Sequence, residues 1–129
     1  NRGNCIVAGI SYNDNFSFVR KYGPKGKLLA SYELKTDYHW IWRVATDCHG
    51  NIYAGGSVGE PGRMFLIRFD PQLNVEWTEW FSGTTAGFVE GLSVDFPDEV
   101  TISGSVNRSL HGAPHHGKSD AFITRFRIR

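Results

Sequence analysis

Methionine, cysteine and proline are scarce in this chain: 129 residues hold one Met, two Cys and five Pro. Cys5 and Cys48 are too few for a disulfide framework, and neither stands in a CxxC or Cys/His spacing suited to zinc. No bridge between them is expected, and cysteine usage leaves the compartment open. An excess of one charge is also lacking. Fourteen Lys+Arg against thirteen Asp+Glu leave a formal net charge of +1. That is no electrostatic footprint for nucleic acid or an anionic membrane, so neither is expected as a partner. Apolar runs are too short to span a bilayer, and no signal-peptide-like stretch opens the chain. The sequence starts at Asn1 within a strand-like stretch, from which we expect a segment of a longer polypeptide. No stretch carries a capped 3.6-residue apolar pattern, so almost no helix is expected. Neither GxxxxGK[ST] nor a GxGxxG after a strand is present, and no Ser lies in a nucleophile elbow. We therefore expect no enzyme activity, no cofactor and no catalytic residues.

Apolar and aromatic surface is in good supply. Hydrophobic residues make up 40% of the chain and aromatics 14%, enough to bury a core rather than stay disordered. Fifteen glycines suit many short strands joined by tight turns.

The strongest signal is internal repetition. Asn4-Cys-Ile-Val-Ala-Gly9 aligns with Asn51-Ile-Tyr-Ala-Gly-Gly56 and Glu99-Val-Thr-Ile-Ser-Gly104, at steps of about 47 or 48 residues. Phe18-Val-Arg-Lys-Tyr22 aligns likewise with Phe65-Leu-Ile-Arg-Phe69 and, after an insertion, with Phe122-Ile-Thr-Arg-Phe126. Arg43-Val-Ala-Thr-Asp47 aligns with Gly91-Leu-Ser-Val-Asp95. Each segment is rich in β-branched or aromatic residues, alternates at period two and is bounded by turn residues, so each reads as a strand. Turns are expected at Gly23–Gly26, Asp47–Asn51 and Asp70–Asn74. Adding the apolar runs 28–34 and 75–81, the chain reads as strands B-C-D, A-B-C-D, A-B-C. The expected fold is an all-β partial β-propeller of about two and a half four-stranded antiparallel blades. Its units are 1–38, without an inner strand, the complete 39–86, and 87–129, without an outer strand. Ten strands do not close a ring, so the missing blades come from the parent chain or from other subunits.

Three stretches carry a resemblance. Gly91-Leu-Ser-Val-Asp95, Val100-Thr-Ile-Ser-Gly104 and Ser119-Asp-Ala-Phe-Ile-Thr-Arg-Phe126, with the Gly-rich loop before Phe122, resemble SBBP-type β-propeller repeats. Trp40-Ile-Trp-Arg43 and Phe96-Pro97 depart from that pattern. The resemblance implies a repeat found in large, often secreted or surface proteins that share no single activity, which favours an extracellular or cell-surface setting.

Candidate chemistry then has to be weighed against architecture. His111, His115 and His116 lie in the third unit's inserted loop, where imidazoles suit a transition metal. No carboxylate or thiol stands at ligand spacing, so a solvated loop is the simpler reading and no metal is expected. Tyr38, His39, Trp40 and Trp42 sit where the chain enters the middle unit, and such aromatics anchor partners or stack on sugars. Alternation puts Trp40 and Trp42 on one face, so packing between blades competes with binding. Trp77 and Trp80, on an outer strand, read as packing residues. Lys21, Arg68 and Arg125 repeat at one position, and we expect them to bond turn carbonyls or Asp47 and Asp95 across blades. Asp47 and Asp95, once per blade, read as turn-forming residues that accept backbone N–H bonds.

The D–A and B–C connections (11–16, 35–39, 57–63, 82–88 and 107–119) are long and differ between copies. Variable loops on a rigid scaffold are where binding usually resides. The expected function is a non-catalytic scaffold or protein-interaction module within a larger protein or assembly. The alternative is a carbohydrate- or small-ligand-binding propeller using the loop face, with Tyr38, His39, Trp40, Trp42, His111, His115 and His116 as binding residues.

Overall fold

The computed structural model describes residues 3–36, 38–58, 63–81, 87–95, 99–106 and 119–128. Among them every regular element is a β-strand. In chain order these are β1 (Cys5–Ser11), β2 (Phe16–Tyr22), β3 (Leu28–Leu34), β4 (His39–Thr46) and β5 (Ile52–Val58). β6 (Arg63–Phe69), β7 (Val75–Trp80), β8 (Gly87–Asp95), β9 (Glu99–Val106) and β10 (Asp120–Arg127) follow. They form three antiparallel meanders, β1-β2-β3, β4-β5-β6-β7 and β8-β9-β10. This is the strand grouping that the repeat implied.

Short turns set the register. Gly23–Lys27, Asp47–Asn51 and Asp70–Asn74 share one geometry, in which the first N–H donates to the fifth C=O and the fourth N–H to the first C=O. The fourth residue, Gly26, Gly50 or Leu73, has φ of 80°, 86° or 64°. A type I turn followed by a left-handed residue is the standard three-residue hairpin connection. In two of the three turns an Asp reinforces it. Asp47 Oδ1 accepts the N–H groups of His49 and Asn51, and Asp70 Oδ1 accepts those of Gln72 and Asn74, all at 2.9 Å.

Packing places the four-stranded sheet between the other two. On one side Ile41, Ile52, Ala54, Phe65, Ile67 and Phe69 bury against Val19 of the first sheet. On the other, Tyr53, Met64, Leu66 and Phe81 meet Val89, Val100, Ile102 and Val106 of the third. β5 is therefore buried at every residue but its last, which is why Ile52–Val58 reads as an apolar and small-residue run rather than an alternating one. β10 has one covered face only, and its exposure alternates strictly, with Phe122, Phe126 and Ile128 inward and Arg125 and Arg127 outward.

One contact recurs in every sheet. Gly9 pairs with Phe18, Gly56 with Phe65 and Gly104 with Phe122. In each pair the ring lies where a glycine β-carbon would be. The Gly and Phe positions visible in the repeat are thus two halves of one packing unit, an aromatic ring covering a bare backbone.

The first strands of the second and third sheets, β4 and β8, both carry a bulge, where the register skips Trp42 and Glu90 respectively. A bulge leaves one residue unpaired and breaks the alternation of side chains. This corrects the expectation that Trp40 and Trp42 share a face. Trp40 packs toward Tyr12 of the first sheet, ring centroids 5.5 Å apart, and Trp42 toward Phe88 of the third, 5.9 Å apart.

Candidate functional site

Side-chain bonds between sheets fix which strand ends lie together. Near the start of β2, the buried Ser17 hydroxyl donates to the His39 carbonyl and accepts the Ile41 N–H, both at 3.0 Å. Near the other end of β2, Lys21 Nζ donates to the Pro71 carbonyl at 2.8 Å. The starts of β2 and β4 therefore lie at one end of the first two sheets, and the turns Gly23–Lys27, Asp47–Asn51 and Asp70–Asn74 at the other.

At the loop end, aromatic side chains from β4, β6, β7, β8 and the β1–β2 connection form a rim. The Tyr12 ring is 71% exposed and leans on Trp40. His39 lies 6.3 Å from both Phe65 and Trp80, and Phe65 and Trp80 are themselves 5.4 Å apart. The Arg63 guanidinium covers the Trp80 ring at 5.2 Å, within range of a cation–π contact. Trp42 meets Phe88 edge to face and donates its indole N–H to the buried Ser57 hydroxyl at 2.9 Å. This satisfies the one polar atom of a half-buried indole.

Of the expected binding residues, the structure brings Tyr38, His39, Trp40 and Trp42 to this rim with unequal access. Tyr38 is 62% exposed and holds a left-handed backbone with φ of 61°. Trp40 is only 7% exposed, so most of its ring is packed. His39 and Trp42 are half-buried. His111, His115 and His116 lie outside the described residues, as does the Phe96–Asp98 segment. Sequence reasoning passed over Tyr12, Arg63, Trp80 and Phe88. Trp80 does pack, against Phe65 and His39 as expected, and it also lies at the strand's loop-end terminus, 38% exposed. The available signal was position, since all four flank the variable connections.

The repeated polar residues behave unequally. Lys21 crosses to a turn carbonyl of the next sheet, as expected. Arg68 and Arg125 instead pair within their own sheets. Arg68 Nε lies 3.1 Å from Glu76 on β7, close enough for an ion pair but not aligned for a hydrogen bond. Arg125 and Arg127 share Glu99 on β9, at 3.2 and 3.7 Å. A further cation, Arg43, bonds two main-chain carbonyls, those of Trp42 and Glu90, at 2.7 and 2.6 Å. Those are the two bulge residues, so Arg43 clips one bulge to the next.

Asp47 belongs to the turn. Burial raises its carboxyl pKa, but bonds from the Asn51 side chain, the Asn51 and His49 N–H groups and the Tyr53 hydroxyl outweigh burial and lower it. Asp70 is lowered chiefly by the Asn74 amide, with the charge of Lys21 a minor contributor. Burial pushes the Tyr53 hydroxyl up to about 12, with Arg68 opposing that rise. Both cysteines are free and exposed. Among the described residues no group of three or more His, Cys, Asp or Glu is placed to hold a metal ion. Comparison with protein-family models and with curated proteins returns no match for this chain.

Proposed function

We propose that the three sheets are blades of a β-propeller built from SBBP-type repeats, and that the chain is a non-catalytic interaction module that engages a partner protein at its loop end. The observation that carries this reading is the rim. Tyr12, Tyr38, Trp80 and Phe88 are each at least 36% exposed. Trp80 and Phe88 are held in strands and Tyr12 and Tyr38 directly flank them, and aromatics placed in this way are favoured anchors for a partner. The repeated Gly–Phe pairs and bulges support the blade reading, because each sheet solves the same packing problem in the same way. A secreted or surface location and completion by further blades follow from that reading.

Photo-crosslinking tests it. Benzoylphenylalanine at Tyr12 or Tyr38, introduced in the organism that makes the protein, is expected to capture one defined protein. The same group at Lys25, in a turn at the opposite end, is expected to capture none. Equal capture from both ends, or none from the rim, overturns the proposal. For the architecture, a structure of a longer parent chain with these sheets closed as a two-layer sandwich does the same.

The Tyr12–Trp40 pair favours a second reading, since an exposed ring backed by a buried one is a platform for a sugar face. Binding to a glycan panel that disappears in Tyr12→Ala would select it over the first.

A further inference from the structure

At the hairpin-turn end, opposite the aromatic rim, the seam between the first and second sheets opens into a cavity of about 700 Å³. This volume lies within the usual range of small-molecule sites. Its origin is visible by comparing the two seams. Between the second and third sheets the corresponding space is filled by Tyr53, Arg68 and Trp77, with the Arg68 guanidinium 5.9 Å above the Tyr53 ring and Trp77 6.3 Å from it. One repeat earlier those positions are Ile6, Lys21 and Ala30. Smaller side chains leave the first seam open.

The open seam has a definite chemistry. Ile6 and Pro71 supply apolar wall, and Asn4, Lys21, His49 and Gln72 supply polar groups. Its carboxylate, Asp47, is already spent: two backbone N–H groups, the Asn51 amide and the Tyr53 hydroxyl occupy both oxygens. The adjacent Asp70 is spent in the same way on Gln72 and Asn74. Lys21 is not. An ammonium has three donors, and among the described residues its hydrogen-bond acceptor is the Pro71 carbonyl. The unspent hydrogen-bonding capacity of the cavity is therefore one cationic donor, set among amide and imidazole groups and beside two aspartates whose oxygens are already bonded.

We propose that this cavity is a binding site for a small carboxylate-bearing solute, with Lys21 as its charge partner and the Asn4 and Gln72 amides as neutral donors. In the second seam the same three positions are occupied by Tyr53, Arg68 and Trp77. The proposal is independent of any partner at the loop end.

The test is an amide-resolved NMR titration of the 129-residue chain with succinate, beside sodium chloride at matched ionic strength and beside glycerol. Succinate is expected to give saturable shifts confined to residues 4–6, 21, 46–50 and 72. Lys21→Met is expected to weaken binding at least about tenfold, the scale of one lost charged contact. Ile6→Tyr, which copies the filled seam, is expected to abolish it. If Ile6→Tyr does not fold, Lys21→Met decides alone. Absence of saturation, shifts reproduced by chloride or glycerol, or unchanged affinity in Lys21→Met would each overturn the site.

Discussion

The Phe65 ring lies across Gly56, 2.7 Å from where a β-carbon on that glycine would stand, and the Trp40 carbonyl closes the same space from the neighbouring strand. Gly104 is enclosed in the same way by Phe122 and the Phe88 carbonyl. A methyl group at either position has to displace main chain. Gly56→Ala and Gly104→Ala are each expected to lower stability by about 1–3 kcal/mol, the usual cost of overpacking. Gly26→Ala, with open space around it but φ of 80°, is expected to cost about 1 kcal/mol. Urea midpoints of the three variants check the order.

Ser17 is fully buried and serves two main-chain groups of the next sheet. Ser17→Ala leaves the Ile41 N–H and the His39 carbonyl without that hydroxyl. The expected loss is about 1–3 kcal/mol, the scale for removing one side of buried hydrogen bonds. Ser17→Thr, which keeps the hydroxyl, is expected to recover part of it, as thermal unfolding would show.

Asp47 makes stability depend on pH in one direction. Its native pKa lies below the unfolded value of about 3.9. The native state therefore holds the carboxylate more firmly than the unfolded chain does. The resulting stabilisation is fully present above the unfolded value and is lost as pH falls through the native one. Asp47→Ala is expected to cost about 1–2 kcal/mol at neutral pH, from the lost turn bonds. The gap from the parent chain should narrow below about pH 4. Chemical denaturation at pH 7 and pH 3 measures it, and a gap that does not narrow would contradict the assignment.

Hydrogen exchange should rank the strands. β6 is buried at five of its seven residues, Met64 to Ile67 and Phe69, whereas β1 has no fully buried residue. Amides of β5 and β6 are expected to exchange slowest and those of β1 and β10 fastest, because local opening is cheapest where one face lacks cover.

How much of this was legible follows from the kind of signal each feature leaves. The pairing of Gly9, Gly56 and Gly104 with Phe18, Phe65 and Phe122 was visible as spacing, because packing that recurs must be written at the same position each time. The hairpin turns were visible too, since Asp, Gly and Asn have few other reasons to cluster. The bulges at Trp42 and Glu90 were not. Period-two reasoning assumes an uninterrupted ladder, and a bulge carries no fixed residue type when it falls on Trp in one copy and Glu in the other. The partners of Lys21, Arg68 and Arg125 were half legible. Position is shared, but Arg68 and Arg125 have Glu76 and Glu99 within reach on an adjacent strand, whereas Lys21 faces Ala30 and reaches across the seam. The rim needed three dimensions, since Tyr12 and Trp40 stand far apart along the chain.

The polar links between sheets share a trait with a bearing on how such a chain changes over generations. Ser17, Lys21 and Arg43 each reach a neighbour's peptide group: the His39 carbonyl and Ile41 N–H, the Pro71 carbonyl and the Glu90 carbonyl. A carbonyl survives any replacement of the side chain beside it. Each unit can therefore drift in composition without consent from the next, and docking is inherited from one side of the joint alone.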